Sequence, residues 1–212
     1  MPKLGTAFDA VNTGAGNATV VAGCDMKCAN ADIASATAAA KAADVAVLAL
    51  GIDGDICGEG RDRMNITLPG QQKQLAEAVI AAAKQTVLLI FSGGLVDIGD
   101  LKTKDVAIVQ GWSVWPPASV CRRWAASLTP KALFCRYPGA TGGTAIAETV
   151  FGEQNRWGKL PFTWYNSKYT AASDFDNMNM TDGPGRTYKY LKDPSMALCE
   201  SSSCSTHRVS NA

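Results

Sequence analysis

Two uninterrupted apolar segments, separated by an amphipathic one, place the strongest constraint on the fold of this chain. Residues 44–50 read DVAVLAL and residues 86–91 read TVLLIF. Strands covered on both faces read as continuous apolar runs, whereas strands with one wet face alternate. The intervening segment repeats apolar residues at helical spacing: Leu75, Ala76, Val79, Ile80 and Ala83. The pattern predicts buried parallel strands connected by a helix over residues 69–84, with Pro69 near the first turn of that helix.

The rest of the chain continues this alternation of strands and helices. In chain order, we predict a short strand at residues 19–22, a helix at 31–43 capped by Asn30 or Asp32, a strand at 106–109, a helix at 144–151 and an edge strand at 159–164. Alternating elements of this kind favour an α/β fold with a doubly wound, mostly parallel sheet sandwiched by helices, and no TIM barrel.

One α/β domain is the default for a chain of 212 residues. We expect an irregular lead-in over residues 1–18, the α/β domain over 19–190 and a disordered tail over 191–212. Residues 113–136 interrupt the domain with tryptophan, proline and arginine but no acidic residue. That composition could serve a nucleic-acid patch, but an irregular insertion is the commoner explanation.

Bulk charge and hydropathy exclude several classes of function. The net charge is +1 and the pI is about 7.5, so no overall field attracts nucleic acid or an anionic membrane. No apolar run is long enough to cross a bilayer, and the first residues lack the apolar core of a signal peptide. Asn-X-Thr sequons at Asn17, Asn65 and Asn179 suit a secreted protein, although such short motifs also arise by chance. The missing leader argues against secretion of the chain as written.

The cysteines leave the redox environment open. Because the chain has seven of them, at least one thiol must stay free or pair between chains. Cys24 and Cys28 stand close together in CDMKC, without the second pair that would complete a zinc site. A disulfide or two free thiols is the better interpretation, and we predict neither a metal nor a cofactor.

Residues 51–69, named here the acidic loop, concentrate the ionisable chemistry between the strand predicted at 44–50 and the following helix. The loop carries four carboxylates and two arginines: Asp53, Asp55, Glu59, Arg61, Asp62 and Arg63. Open α/β sheets bind ligands at loops that follow the carboxyl ends of their strands. Glu59 is the sharpest candidate, because flanking glycines let a ligand approach and a carboxylic acid with a raised pKa can act as a general acid. On composition alone, a solvated loop with Asp62 paired to an arginine is the simpler interpretation.

Other chemistries have weaker support. His207 is the only histidine, so a Ser–His–Asp triad is not expected. The segments Ser92-Gly93-Gly94 and Gly142-Gly143 lie near strand ends, but they match neither a dinucleotide fingerprint nor a P-loop. A flavodoxin-like nucleotide binder is therefore a weak alternative. Asp174 lies in a polar loop with no preceding strand, and we expect it at the surface.

A series of motifs in fixed order resembles the C-terminal α/β sandwich domain of glycoside hydrolase family 3, and in particular its β-xylosidase and α-arabinofuranosidase branch from plants and fungi. In chain order the motifs are AAKAADVAVLALGID (39–53), GEGRDR (58–63), ITLPGQQ (66–72), SGGLVDI (92–98), YPGATGGTAIAETVFG (137–152), GKLPFTWY (158–165), MNM (178–180) and PGRTYKY (184–190). Many motifs in the right order are far more specific than any one of them.

The resemblance implies a division of labour between domains. In this family a (β/α)₈ barrel supplies the nucleophilic aspartate and most sugar contacts, and the C-terminal domain lends the acid/base carboxylate from the loop that Glu59 matches. Glu59 therefore carries over as the catalytic acid/base. Asp62 and Arg63 match the same motif, and we expect them to orient Glu59 or to contact the sugar; with Asp53 they are the predicted substrate-binding residues. The implied partner is an oligosaccharide (a xyloside, arabinoside or glucoside) and the implied location is extracellular or the cell wall, with no nucleic acid, membrane or cofactor.

The sequence departs from the family pattern at several places. Cys57 stands where the xylosidase branch usually has a second glutamate, and Leu95 replaces a proline or glycine. Residues 113–136 separate a strand and a YPG motif that are nearly contiguous in the family, and they resemble translated non-coding sequence. No barrel precedes the domain, so we expect a fragment or faulty gene model that lacks the nucleophile and is inactive alone. The alternative is a non-catalytic carbohydrate-binding or interaction module.

Overall fold

A parallel sheet organises the part of the chain that the structure describes. The structure is a computed structural model, and it describes residues 18–58, 60–112, 142–153, 162–174 and 176–194. In these ranges the strands are β1 (Ala46–Gly51), β2 (Thr86–Ser92) and β3 (Ala107–Trp112). They are parallel and lie in the order β1-β2-β3. The parallel strands and the helices between them confirm the predicted α/β fold class.

Helices cover both faces of this sheet. They are α1 (Ile33–Ala42) and α2 (Gln72–Ala82) on one face and α3 (Gly142–Val150) on the other. Alternate residues of β2 serve the two layers: Leu88 and Ile90 pack in the cluster that contains α2, and Val87 and Leu89 pack with Ile146 of α3. Because both sides of β2 are buried, its sequence is continuously apolar, as the sequence predicts.

The larger core lies between β1, β2 and the α1–α2 layer. Its fully buried members include Leu75, Leu88 and Ile90. Removing such a side chain from water contributes about 1.5–3 kcal/mol. This layer also holds Leu68 and Ile98, from the loops after β1 and β2. The core therefore fixes both loops against the sheet.

Short elements complete the described part. A 3₁₀ helix spans Gly99–Thr103, and two short helices follow, α4 (Ser167–Ala172) and α5 (Thr187–Tyr190). Asn166 caps α4, because its side chain accepts a hydrogen bond from the backbone N–H of Tyr169.

Several predicted elements are confirmed with small shifts of boundary. Helix α1 begins at Ile33, and Asp32 is its N-cap, since the carboxylate accepts a 3.0 Å hydrogen bond from the backbone N–H of Ser35. Hydrogen bonds from Ser35, first from its side chain and then from its backbone N–H, lower the pKa of Asp32. Helix α2 begins at Gln72 rather than at residue 69, because the N–H of Gln71 is bound to the carbonyl of Cys28 at 2.8 Å. Pro69 therefore lies outside the helix.

Two strand predictions have different outcomes. The strand predicted at residues 19–22 is wrong: Val20 is 60% exposed, and the segment pairs with no strand in the described ranges. A pair of valines favours extended backbone, but a strand needs a neighbour with which to share hydrogen bonds. The strand predicted at 159–164 falls partly on residues 154–161, which lie outside the described residues. The same holds for the lead-in before residue 18, the insertion at 113–136 and the tail from residue 195.

Candidate active site

The acidic loop leaves the carboxyl end of β1 and folds back on itself at once. The Asp53 carboxylate accepts hydrogen bonds from the backbone N–H groups of Asp55 at 3.0 Å and Ile56 at 3.2 Å. The Asp53 carbonyl accepts from Ile56 and from Cys57, the latter at 2.9 Å. Asp53, predicted to bind substrate, is thus half-buried and shapes the first turn of the loop with its carboxylate.

The next turn brackets the position of Glu59. The N–H of Gly58 donates to the carbonyl of Arg61 at 3.2 Å, and the N–H of Arg61 donates to the carbonyl of Gly58 at 2.9 Å. The Arg61 guanidinium then reaches back to the Gly54 carbonyl at 3.3 Å and to the Asp55 carboxylate at 3.1 Å. Glu59 itself lies outside the described residues, so the structure gives the frame around it and not its side chain.

Arg63 ties the acidic loop to the loop after β2. Its Nη2 donates to the backbone carbonyl of Leu95, and its Nη1 donates to that of Thr67 at 3.4 Å. Its Nε is buried and has no hydrogen-bond partner among the described residues. Asp62, by contrast, is exposed and has no hydrogen bond or ion pair in the described ranges. The pairing of Asp62 with an arginine, considered from composition, is not seen there. Asp55 pairs with Arg61 instead.

Residues 93–98, named here the anchor loop, follow β2 at the same edge of the sheet. The backbone N–H of Asp97 donates to the Ile66 carbonyl at 2.7 Å, which joins this loop to the acidic loop. The Asp97 carboxylate is buried and accepts from the N–H of Gly99 at 2.9 Å and of Ser167 at 2.7 Å. Trp164, only 2% exposed, donates its indole N–H to the Val96 carbonyl at 2.9 Å. The anchor loop therefore joins the segment that contains Trp164 and Ser167 to the acidic loop.

Two positioning residues were missed as individual candidates. Asp97 lies within the SGGLVDI motif, but no local pattern shows that its carboxylate binds Ser167. Gln72 is 2% exposed, and its amide exchanges hydrogen bonds of 2.9 Å with both the N–H and the carbonyl of Gly51. A glutamine at the start of a helix that follows a buried strand is the signal that could have indicated it.

The cysteines in the described ranges fall into two kinds. Cys24 and Cys28 form a disulfide, one of the two interpretations that the sequence allows. Cys57 is a free, half-buried thiol in the acidic loop. It lies against Gly94, where a Cβ would approach its Sγ to 3.4 Å. The residue that departs from the family pattern is therefore packed between the acidic loop and the anchor loop.

An ion pair joins helix α2 to the 3₁₀ helix that follows the anchor loop. Lys73 of α2 lies 2.7 Å from the Asp100 carboxylate in the 3₁₀ helix and 3.6 Å from Glu77. The hydrogen bond with Lys73 lowers the pKa of Asp100, and the same bond raises the pKa of Lys73. Both side chains remain about half exposed, so the pair contributes little to stability.

Two classes of site are not seen in the described part of the chain. Its histidine, cysteine and acidic side chains form no group of three or more that could hold a metal ion. None of the helices in those ranges has the length and apolar content needed to cross a bilayer.

Comparison with known proteins decides the family. The model for the glycosyl hydrolase family 3 C-terminal domain matches residues 1–115 and 118–194. The chain belongs to glycoside hydrolase family 3. This confirms the resemblance drawn from the motifs.

Relatives with similar sequences and structures support the same placement. A β-xylosidase/α-L-arabinofuranosidase of Medicago sativa subsp. varia is 39% identical over 177 residues, which is 80% of this chain and 20% of that protein. A family 3 exo-β-xylosidase, solved in complex with a xylobiose aziridine activity-based probe, superposes with a TM-score of 0.77 at 27% identity, covering 93% of this chain and 24% of that one. A β-glucosidase of Kluyveromyces marxianus in complex with glucose gives a TM-score of 0.50 at 30% identity, covering 66% of this chain and 14% of that one. The chain spans about a fifth of the length of the curated relatives it matches.

Proposed function

We propose that this family 3 domain supplies the acid/base carboxylate, Glu59, to the active site of a retaining β-xylosidase-type glycoside hydrolase. The substrate class is the non-reducing end of xylan or arabinoxylan oligosaccharides, with arabinosides and glucosides as related substrates. The observation that supports the proposal is the backbone pairing of Gly58 with Arg61, the described residues on either side of Glu59 and Gly60, in the loop that follows the carboxyl end of β1. That edge of an open α/β sheet is where ligands bind.

The surrounding contacts support a presented carboxylate. Asp53 folds the loop tightly after β1, and Arg61 ties the turn back to Gly54 and Asp55. Arg63 fixes the far side of the turn to Leu95 of the anchor loop. A general acid must be held within hydrogen-bond reach of the leaving oxygen, so a turn fastened at both ends suits the role.

The predicted substrate-binding residues take different parts in this proposal. Asp62 is exposed beside the turn and is free to accept hydrogen bonds from sugar hydroxyls. Asp53 and Arg63 use their described hydrogen bonds on the backbone, and we assign them chiefly to positioning the turn.

The chemistry follows the retaining scheme. Glu59, as an acid, gives its proton to the glycosidic oxygen while an aspartate of the barrel domain attacks the anomeric carbon and the glycosidic C–O bond breaks. Glu59, as a base, then takes a proton from water, whose oxygen displaces the aspartate and releases the free sugar. The barrel that carries this aspartate is proposed as a further domain of the parent protein. An extracellular or cell-wall location is proposed with it, by analogy with enzymes that degrade cell-wall polysaccharides.

A chimera tests the assignment. Residues 18–194 of this chain would replace the matching segment of the Medicago sativa relative, and hydrolysis of a nitrophenyl xyloside would be measured. We expect the chimera to be active and Glu59→Gln to lower kcat/KM by about 10²–10⁴-fold, the usual contribution of a general acid or base. Glu77→Gln is the matched control, because Glu77 is a glutamate of α2 paired with Lys73 outside the two loops.

The isolated chain supplies a second, independent readout. We expect it to have negligible turnover of aryl xylosides, because the nucleophile comes from another domain. Clear turnover that Glu59→Gln abolishes would contradict this division of labour. Xylobiose binding by the isolated chain without turnover, weakened by Arg63→Ala, would favour the carbohydrate-binding alternative.

A further inference from the structure

Two of the Asn-X-Thr sequons fall on described residues, and they have the same local geometry. The Asn65 Oδ1 accepts hydrogen bonds from the backbone N–H of Thr67 at 3.0 Å and from the Thr67 hydroxyl at 2.8 Å. The Asn179 Oδ1 accepts from the N–H of Thr181 at 3.1 Å and from the Thr181 hydroxyl at 2.9 Å. In both, the threonine of the sequon directly contacts the asparagine amide.

The free nitrogen distinguishes Asn65 from Asn179. A backbone N–H can only donate, so its bond to Asn65 fixes which amide atom is oxygen and leaves Nδ2 facing away from Thr67. No acceptor in the described ranges binds this Nδ2, whereas the Nδ2 of Asn179 donates to Asp182 at 2.6 Å. Asn65 therefore presents a donor nitrogen that the folded chain does not use.

The surroundings of Asn65 leave room for a large modification. Asn65 is exposed, and its neighbour Met64 is 79% exposed. The following residue, Ile66, is 8% exposed and packs inward, so the backbone on which Asn65 stands is held in place. A bulky hydrophilic group at this position would extend into solvent without displacing core residues.

We propose that Asn65 is a site of N-linked glycosylation. The donor is an oligosaccharide on a polyprenyl diphosphate. The Nδ2 of Asn65 forms a bond to the anomeric carbon of the first sugar, the bond from that carbon to the diphosphate oxygen breaks, the polyprenyl diphosphate leaves with the electron pair, and Nδ2 loses one proton. Asn65 lies in the acidic loop, but this proposal needs only the sequon, its exposure and its amide geometry, so its test does not depend on the role of Glu59.

The test uses the full chain, directed into the secretory pathway of a yeast by an added cleavable leader. Asn17→Gln and Asn179→Gln leave Asn65 as the sole native sequon. A sequon in a C-terminal affinity tag marks every molecule that has met the oligosaccharyl transferase. Purified protein is treated with a peptide N-glycosidase in ¹⁸O water, which releases the glycan and converts each glycosylated asparagine to ¹⁸O-labelled aspartate. The peptides are then mapped by mass spectrometry.

We expect most tag-glycosylated molecules to carry the label at Asn65 as well. Thr67→Ala should remove the label at Asn65, and Thr67→Ser should retain it, while both keep the backbone carbonyl that Arg63 binds. An unlabelled Asn65 in molecules whose tag is glycosylated would overturn the proposal, as would a label that survives Thr67→Ala. Because only tag-glycosylated molecules are scored, poor expression of a variant does not affect the result.

Discussion

The acidic loop and the anchor loop leave the same edge of the sheet from neighbouring strands, yet they are built in opposite ways. In the acidic loop Asp55, Arg61 and Asp62 are exposed, and the ion pair of Arg61 with Asp55 has both side chains more than half exposed. In the anchor loop the carboxylate of Asp97 is buried and is bound by backbone N–H groups from two segments. The acidic loop exposes charged side chains to solvent, whereas the anchor loop uses one buried carboxylate to bind two segments of the chain.

This difference indicates what holds the proposed acid/base turn, between Gly58 and Arg61, in place. A short exposed turn contributes little stability of its own, because surface ion pairs are worth about 0–1 kcal/mol. The contact of Arg63 with Leu95 and the contact of Ile66 with Asp97 fasten the acidic loop to the anchor loop. We infer that substitutions in the anchor loop will alter stability, and that substitutions of the exposed charged residues of the acidic loop will alter activity with little effect on stability.

The largest expected effect is at the root of the acidic loop. A Cβ at Gly51 would overlap the carbonyl of Phe91 in β2, and Gly51 has φ +150°. Gly51→Ala should therefore lower the free energy of unfolding by about 4 kcal/mol or more, at the exceptional end for a point change. Gly60→Ala is the matched control: φ is +71° there, but a Cβ meets no described atom within 4 Å, so only about 1 kcal/mol is expected. Urea denaturation of both variants measures the contrast, and equal losses would contradict it.

The next largest effect is expected under the anchor loop. Trp164→Ala should cost about 3–5 kcal/mol, because it removes a fully buried aromatic side chain and leaves a cavity. Trp164→Phe retains most of the volume but loses the hydrogen bond to the Val96 carbonyl, so its cost should be clearly smaller. Thermal unfolding of the two variants checks this order. A Phe variant as unstable as the Ala variant would place the stabilisation in the hydrogen bond instead.

The carboxylate of Asp97 comes third. Asp97→Ala should lower the free energy of unfolding by about 2–3 kcal/mol, since the N–H groups of Gly99 and Ser167 lose a charged acceptor. Asp97→Asn keeps one acceptor oxygen and should cost less. In the chimera, both variants should also reduce turnover, because the anchor loop holds the acidic loop. Full activity in a destabilised Asp97→Ala chimera would show that the anchor loop does not hold the acidic loop in its active position.

The smallest effect on stability is expected in the acidic loop itself. Arg61→Ala should change the free energy of unfolding by less than about 0.5 kcal/mol, because its ion pair with Asp55 is exposed. The same variant should lower kcat/KM in the chimera, since Arg61 ties the turn around Glu59 to Gly54. Lys84→Ala, which removes another exposed ion pair (with Asp44), is the control that should leave activity unchanged. A stability loss as large as that of Asp97→Ala would remove the distinction between the loops.

The sequence predicts the strands and helices of this fold better than the long-range hydrogen bonds that hold its loops in place. Continuous apolar runs predict β1 and β2, and the local cap of α1 is found at Asp32, because these features depend on neighbours within a turn or a strand. The strand expected at residues 19–22 fails because pairing needs a partner elsewhere. Asp97 binds Ser167 across 70 positions, and Gln72 binds Gly51 across 21. No periodicity reports a contact of that range.

The candidate site shows the same division. A cluster of charges between a strand and a helix predicts a ligand-facing loop, and the motif GEGRDR indicates Glu59 within it. The sequence alone does not show that the guanidinium of Arg63 donates its hydrogen bonds to the carbonyls of Thr67 and Leu95. Its role as a positioning residue depends on a loop that is distant in the chain.

The central claim is that Glu59 is the acid/base, and the dependence of rate on the leaving group tests it most directly. In the active chimera, kcat/KM would be measured for a series of aryl xylosides with Glu59 or with Glu59→Gln, with and without azide. A leaving group that departs without protonation does not need the acid, so we predict a loss of about 10²–10⁴-fold for poor leaving groups and a much smaller loss for dinitrophenyl xyloside. Azide attacks the glycosyl-enzyme without a general base, so with dinitrophenyl xyloside it should raise the kcat of the Glu59→Gln variant and yield xylosyl azide. An equal loss for every leaving group, with no azide product, would contradict the assignment.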